Sequence, residues 1–481
     1  VKSQIIPANA SLVLVLALIL RSGFGHAECR AEDWPRFLGP RGDNTSTETG
    51  LLDMWPTNGL LLLWDRKVGS GYSAPSVLGT NLVLHHRLKD EEIIECFDAA
   101  TGRAVWRHSD ASTFSDPFGY NNGPRATPLL EGDHCYTYGA EGRLVCLQVE
   151  TGKLVWQRET AKEWSVPEPF FGVGSSPLLE SGKLIVMVGG QPNSTIVALD
   201  PHTGKTLWEN VGRTNWQGVT TIGWRGEGPY QWTGEEKLAS YSTPVAATIH
   251  GRRQVFCLTR QGLVSLNPTN GSVNFARWFQ APVNESVNAM CPVVWNELVL
   301  ISGAYSRVGS VLLRVRPDGR SFDEVWRSPA QRLERDRTGG GLVEPVLEAH
   351  WTTPVAHNGY LYAFSGRNEP DATFRCVEFQ TGKLMWSRDE RWRSHSLTQP
   401  PVYGRGAAIL ADAKLIVLGE GGRLGLFLPN PKEPREICAW QVPQLQYPCW
   451  TGPVLSRQRL YLRSEDRLLC FALGRRESMP R

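Results

Sequence analysis

The sequence predicts an all-β chain, an eight-bladed β-propeller of four-stranded antiparallel blades, and three observations predict it. A small-residue–proline signature opens a short apolar run eight times, an aromatic follows about thirty residues later, and no segment after residue 27 keeps a helical period over three turns. The openings are Ser73-Ala74-Pro75, Ala126-Thr127-Pro128, Ser175-Ser176-Pro177, Ser242-Thr243-Pro244, Met290-Cys291-Pro292, Thr352-Thr353-Pro354, Gln399-Pro400-Pro401 and Thr451-Gly452-Pro453.

The second signature is a turn and then an aromatic. It runs from Asp98 through Thr101-Gly102 to Trp106, from Glu150-Thr151-Gly152 to Trp156, and from Asp200 through Thr203-Gly204 to Trp208. Gln380-Thr381-Gly382 to Trp386 is another strong copy. Asn267 to Phe275 and Asp318-Gly319 to Trp326 are weaker, and Pro429-Asn430 to Trp440 is degenerate. Glycine supplies the positive φ of a tight turn, and Asp or Asn bonds the turn backbone. Runs between the signatures, such as Lys183–Val188 and Tyr360–Phe364, are short, β-branched or aromatic and bounded by Gly or Asn, as strands are. An aromatic at a repeated place packs between neighbouring blades.

The last unit has Pro453 and the strands 460–462 and 468–471 but no turn and aromatic. Leu60-Leu61-Leu62-Leu63-Trp64 supplies them from the front of the chain, closing the ring and removing two sheet edges. The weak fifth and seventh repeats leave seven or nine blades open. The expected division is a signal peptide over 1–27, an N-terminal extension over 28–59, the propeller over 60–474 and a tail over 475–481.

Lys+Arg number 51 and Asp+Glu 48, a net charge of +3, so electrostatics demands neither nucleic acid nor a membrane as partner. Lys2, the apolar run Ser11–Leu20 and Gly25-His26-Ala27 read as a secretory signal, with an uncleaved anchor as the alternative. That places the chain in the periplasm or outside the cell. The mature chain then carries no transmembrane segment. Cys96, Cys146, Cys376 and Cys470 share one place in the third strand, taken by Ala or Val in other blades, where a thiol acts as a small apolar group. Cys135 and Cys146 fall across one predicted hairpin, either as a disulfide or as two thiols.

The Asp-x-x-Thr-Gly-x-x-x-Trp repeats resemble the pyrroloquinoline-quinone (PQQ) type propeller repeat of quinoprotein alcohol dehydrogenases and of the outer-membrane barrel-assembly lipoprotein. The stretches 33–43 and 460–466 look like those of exported propeller proteins abundant in planctomycete-type bacteria. The resemblance covers nearly the whole chain after residue 27. It is specific for fold and weak for activity. It implies either a binding and assembly scaffold or a quinone-dependent periplasmic dehydrogenase of alcohols or sugars, the latter with PQQ and calcium. The chain departs from those enzymes in lacking a vicinal cysteine pair and a C-x-x-C-H haem module, and no Glu, Asn and Asp calcium set aligns. No cofactor or metal is therefore assigned, and the scaffold reading leads.

Spacing separates scaffold from site. From proline to aromatic the blades measure 28 to 39 residues, whereas the links from aromatic to next proline measure 11 to 36. Length variation is thus loaded onto links that emerge on one face, where binding loops gather. The link Glu209–Thr243 carries Trp216, Trp224, Arg225, Tyr230 and Trp232 among glycines. These rings either stack on a carbohydrate or protein ligand or pack the loop onto the propeller. The charged link Arg327–His350 with Gly339-Gly340-Gly341 reads as a solvated flap, since no helix follows the glycines to make a phosphate site. Around the channel mouth, Tyr120, Asn121, Asn122, Arg125, Glu168, His350, Trp351 and His395 form either an acid–base or metal constellation or structural hydrogen bonds. No H-E-x-x-H, G-x-S-x-G or Walker motif occurs.

Overall fold

The computed structural model describes residues 31–216, 232, 235–281, 286–328, 345–367, 371–392 and 402–475. Its strands form eight four-stranded antiparallel sheets arranged as a propeller. Seven are contiguous in sequence: blade 1 runs from Ser76–Leu78 to Ala104–Ala111, blade 4 from Val245–Ile249 to Val273–Trp278, blade 7 from Ala407–Ala411 to Arg435–Gln441. Blade 8 holds Val454–Ser456, Arg459–Arg463 and Arg467–Ala472, and its outer strand is Leu61–Lys67 from the front of the chain. That strand runs antiparallel to Arg467–Ala472, with Trp64 opposite Cys470. Among the described residues no helix is long and apolar enough to cross a membrane.

The repeated aromatics do one physical job. The indole N–H of Trp64 donates to the carbonyl of Ala99 (3.2 Å), Trp106 to Val149 (2.7 Å), Trp156 to Pro201 (2.8 Å) and Trp208 to Pro268 (3.1 Å). Trp326 donates to Phe379 (2.9 Å) and Trp386 to Asn430 (2.8 Å). In each case the acceptor lies in the third-to-fourth-strand turn of the next blade, so the ring staples one sheet to its neighbour. Each bond contributes about 1 kcal/mol net, beside the burial of the ring. The turn glycine explains itself at the same contact. Gly152 has φ +69°, and a Cβ there would stand 2.4 Å from the Trp106 ring. Phe275 fills the place in blade 4 without a donor and packs on Phe322 at 5.1 Å.

Blade 7 departs from the sequence reading. Its inner strand opens after Gly406, five residues beyond Pro401, which lies outside the described residues together with Gln399 and Pro400. A Cβ at Gly406 would stand 2.7 Å from the Phe364 ring, so no proline fits there. The register pairs Leu426 with Cys438, the place held by tryptophan in other blades, and Trp440 sits two residues further on. Measured between Gly406 and Cys438, blade 7 spans 32 residues, and the blades then vary only from 28 to 34. Cys438 Sγ accepts the Trp55 backbone N–H at 3.4 Å, and Gly59 covers the Trp440 ring.

The shared third-strand cysteines stand where expected, each opposite its blade's tryptophan: Cys96 and Trp106, Cys146 and Trp156, Cys376 and Trp386, Cys470 and Trp64. In the remaining blades the place belongs to Ala198, Ser265, Leu312 and Leu426, so Val does not occur there. Cys135 and Cys146 do not bond. Cys135 pairs with Leu147 and Cys146 with Tyr136, which turns the two thiols to opposite faces of the sheet. All nine described cysteines are free, and burial pushes the Cys146 thiol up to about 12.

Residues 31–59 cross the end of the propeller where first and second strands turn. Trp34 bridges Val77 of blade 1, Pro35 accepts the Leu130 N–H of blade 2, and Thr45 bridges Leu410 of blade 7. Asp33 accepts the N–H of Gly79 in the first turn of blade 1, and Glu48 accepts those of Arg457 and Gln458 in blade 8. The links between blades enter the same inner strands from their opposite ends. One mouth of the propeller is therefore covered by its own chain, and the other is left to the variable links.

Candidate functional site

Seven aromatics from six links meet in tilted or edge-to-face contacts around the uncovered mouth. Trp392 contacts Tyr447 (5.4 Å between ring centroids), Tyr447 contacts Trp450 (5.7 Å), and Trp450 contacts both Tyr72 (5.0 Å) and Tyr120 (5.7 Å). Tyr120 meets Phe171 at 5.8 Å, and Phe171 meets Tyr241 at 5.6 Å. Phe118, beside Tyr120 in the same link, adds to this collar at 4.8 Å from Phe171. Across the mouth, Phe171 and Tyr241 share a buried cluster with Tyr305 of blade 5. His350 packs on Tyr305 at 5.0 Å and on Trp351 at 4.3 Å. Phe118, Tyr120, Trp351 and Tyr447 are 47, 51, 39 and 44% exposed, and they are the only strongly exposed aromatics among the described residues. All four belong to this face.

The link after blade 1 is built to hold its rings out. Asp116 Oδ1 accepts the Phe118 N–H (2.8 Å), Asn122 Oδ1 accepts the Asp116 N–H (2.8 Å), and Asn121 Oδ1 accepts the Gly123 N–H (2.9 Å). Arg125 lies beneath, ion-paired with Asp116 and donating to the carbonyls of Gly123 (2.9 Å) and Asn121 (3.1 Å). Its guanidinium is 5.6 Å from the Tyr72 ring centroid and 5.8 Å from that of Phe114. Burial lowers the Arg125 pKa, with Asp116 acting in opposition. Such a buried, fully engaged Arg–Asp pair fixes the loop in place of meeting a solute.

Across the mouth a second framework supports Trp351 and Trp450. Glu420, with no exposed surface, accepts the Trp450 indole N–H (3.0 Å) and the Arg405 Nε–H (3.0 Å). Arg405 stands over the Trp450 ring at 5.0 Å and donates to the Arg367 carbonyl (3.3 Å). The same carbonyl accepts the Trp351 indole N–H (2.9 Å), and the Arg367 guanidinium covers the Tyr305 ring at 4.2 Å. His350 is buried, accepts the Ala304 N–H at Nδ1 (3.4 Å), and leaves Nε2 without a partner. Burial, and secondarily Arg367, pushes its pKa down to about 3, so the ring is neutral.

Among the described residues, the acid–base or metal constellation expected of the mouth does not come together. Arg125 is committed to Asp116, Glu168 is exposed and interacts electrostatically with Lys237, and His350 is sealed among aromatics. Asn121 and Asn122 join Arg125, but as turn builders. Trp216 is 3% exposed and meets Trp278 edge-on at 5.6 Å, while Trp232 meets the same ring at 6.4 Å. These two pack their link onto blade 4, and Trp216 has no face free for a ligand. Trp224 and His395 lie outside the described residues, as does most of the charged link after blade 5. Of the expected residues, Tyr120 and Trp351 present exposed rings to the mouth. Sequence reasoning missed Phe118, Phe171, Tyr447 and Trp450. Two signals were available: an aromatic beside a Gly or Pro, as in Phe118-Gly119, Phe171-Gly172 and Tyr447-Pro448, and an aromatic three residues before a repeat proline, as in Tyr72, Tyr241 and Trp450.

The described side chains do not assemble a site for the calcium that the resemblance implies. Among the described residues no three His, Cys, Asp or Glu side chains converge as a metal-holding set. Two carboxylates that support the collar, Asp116 and Glu420, are each already bound to an arginine.

A family model of PQQ-type repeats, described as outer membrane protein assembly factor BamB, matches residues 89–343. A stretch of 115 residues is 28% identical to the quinohemoprotein alcohol dehydrogenase ADH IIB of Pseudomonas putida, covering 23% of this chain and 16% of that enzyme's length. Among solved structures, BamB from Moraxella catarrhalis is similar at TM-score 0.55 and 14% identity, covering 86% of this chain and all of that one. The quinohemoprotein alcohol dehydrogenase from Comamonas testosteroni is similar at TM-score 0.61 and 14% identity, covering 95% and 82%. At such identities the likeness is one of fold.

Proposed function

The chain belongs to the PQQ-type repeat family described as outer membrane protein assembly factor BamB, and from that premise we propose that it is an exported scaffold, periplasmic or secreted, that holds a protein partner against its loop-bearing face. The observation that carries this reading is the collar. Four exposed aromatics from three links gather on one face, backed by buried rings and by arginines already engaged with carboxylates. Rigid, preorganised aromatics of this kind are the residues that dominate protein-binding energy, because they bury much area at little entropic cost. The exposed apolar residues of the outer strands, such as Val105, Leu154 and Leu207, are instead spread around the circumference, one blade at a time. The dehydrogenase alternative is supported by likeness of fold and by the 115-residue match to one such enzyme.

A photo-crosslinking residue placed at Tyr120 in the native host tests the reading, with one at Leu207 as control. We expect a discrete protein adduct from position 120, absent from position 207 and reduced at least tenfold by Trp351→Ala combined with Tyr447→Ala. Equal adducts from both positions would sink the scaffold reading. So would stoichiometric uptake of PQQ with calcium accompanied by dye reduction on an alcohol or sugar.

A further inference from the structure

The N-terminal extension treats the inner strands unequally. At blades 1, 2 and 7 it lies against the channel-side edge and bonds to the strand backbone, through Trp34 and Val77, Pro35 and Leu130, and Asn44 and Leu410. Between these contacts the chain turns back on itself. Leu38, Gly39, Gly42 and Asn44 all take positive φ, and the Gly39, Gly42 and Asn44 N–H groups bond within the turn. The segment thereby passes blades 3 and 4 without pairing to them. A crevice of about 300 Å³ opens between the turn and those blades, bounded by Leu178, Val245 and Ala246 on one side and Arg36 to Gly42 on the other. That is the lower end of ligand-site volumes (~300–1,000 Å³), room for the end of a peptide and not for a folded domain.

Charge selects the occupant. The charged residues lining the crevice are Arg36, Arg41 and Arg253, with no acidic residue among them. Arg41 is neutralised by Glu32 (2.7 Å) and Arg253 by Glu180 (2.5 Å). Arg36 is different. Among the described residues it donates only to carbonyls of its own turn, Gly39 (3.4 Å) and Pro40 (2.6 Å), and makes no ion pair with a carboxylate. Glu131, Glu180 and Asp43 act on it only from a distance, and burial disfavours its charged form.

We propose that this crevice is a second binding site, on the face opposite the aromatic collar, for an extended peptide that presents a carboxylate to Arg36 and pairs its backbone with the open inner edges of blades 3 and 4. The chain itself demonstrates the pairing mode at blades 1, 2 and 7. Strand addition supplies backbone hydrogen bonds, and the planar guanidinium supplies a forked anchor for a carboxylate. The site is independent of the collar and of whatever binds there.

The experiment uses the whole chain and three fluorescent pentapeptides with apolar residues at alternate positions. One carries a free C-terminal carboxylate, one a C-terminal amide, and one an amide with a central Glu. Fluorescence anisotropy is expected to show saturable binding of a carboxylate-bearing peptide, at least tenfold weaker for the plain amide. Comparison of the first and third distinguishes a chain terminus from an acidic side chain as the source. Arg36→Gln, with an unchanged unfolding midpoint, should cost the same tenfold, and N-methylation of alternate peptide amides should abolish binding. Tyr120→Ala should leave binding intact. Should Arg36→Gln perturb folding, the amide and N-methyl comparisons on the unaltered chain still decide. Equal binding of acid and amide, indifference to N-methylation, or no saturable binding by any of the three would overturn the site.

Discussion

His350 carries a pH dependence that its burial dictates. Its folded pKa is pushed down to about 3 from an ordinary value of 6.5. As pH falls the unfolded chain takes the proton first, so this residue's contribution is complete above 6.5 and is lost progressively between 6.5 and 3. Each pH unit in that window costs about 1.4 kcal/mol. His350→Gln should therefore flatten the fall in stability between pH 7 and pH 4.5 by on the order of 2 kcal/mol, as urea midpoints at the two pH values would show. Parallel falls in variant and parent would exclude the effect. The residue was legible in sequence as a polar group at the mouth. Its sealing was not, because Tyr305 comes from blade 5 and lies 45 positions earlier.

At the scale of elements, the repeat was legible because one contact recurs. A turn glycine, an indole and a carbonyl of the next blade must meet each time, so their spacing is held and shows in the sequence. The same contact sets the cost of changing the glycine. Gly152 and Gly132 both have positive φ, at +69° and +57°, but a Cβ at Gly152 would strike the Trp106 ring while one at Gly132 would meet nothing within 4 Å. Gly132→Ala should cost about 1 kcal/mol of backbone strain. Gly152→Ala should cost at least about 2 kcal/mol more, since the ring must shift off its carbonyl. Denaturant midpoints of the two variants check this, and equal losses would show that the indole gives way freely. The collar is only partly legible. Tyr72, Tyr241, Trp351 and Trp450 each stand three residues before a repeat proline, and Tyr120 is legible as a mouth residue, but no recurring contact in the sequence shows that these rings meet. Blade 7 was misread for a third reason: Gly406 replaces the proline and Cys438 the tryptophan, both through contacts that only the folded neighbours reveal.

For the whole molecule, the two mouths have different histories. One is covered by residues 31–59, which bind five of the blades through backbone and side-chain bonds. The other is framed by links free to vary. Removal of residues 31–67 takes away this cover together with the outer strand of blade 8, leaving Arg467–Ala472 as an open edge. Such a chain should elute from size exclusion as dimers or larger species, where removal of 31–50 alone should leave a single-copy profile. Identical profiles for the two truncations would mean that ring closure does not control self-association.

The pairing of Leu61–Lys67 with Arg467–Ala472 also puts folding on a schedule. Among the described strands, the first to leave the ribosome has no partner until the last one arrives, some four hundred residues later. Until then blade 1 must wait with Gly102 and Ala99 uncovered by the Trp64 ring that belongs over them. A product halted anywhere short of blade 8 keeps both ends of its ring open. The last strand thus acts as a receipt for all that precedes it, and only a finished chain conceals its seams.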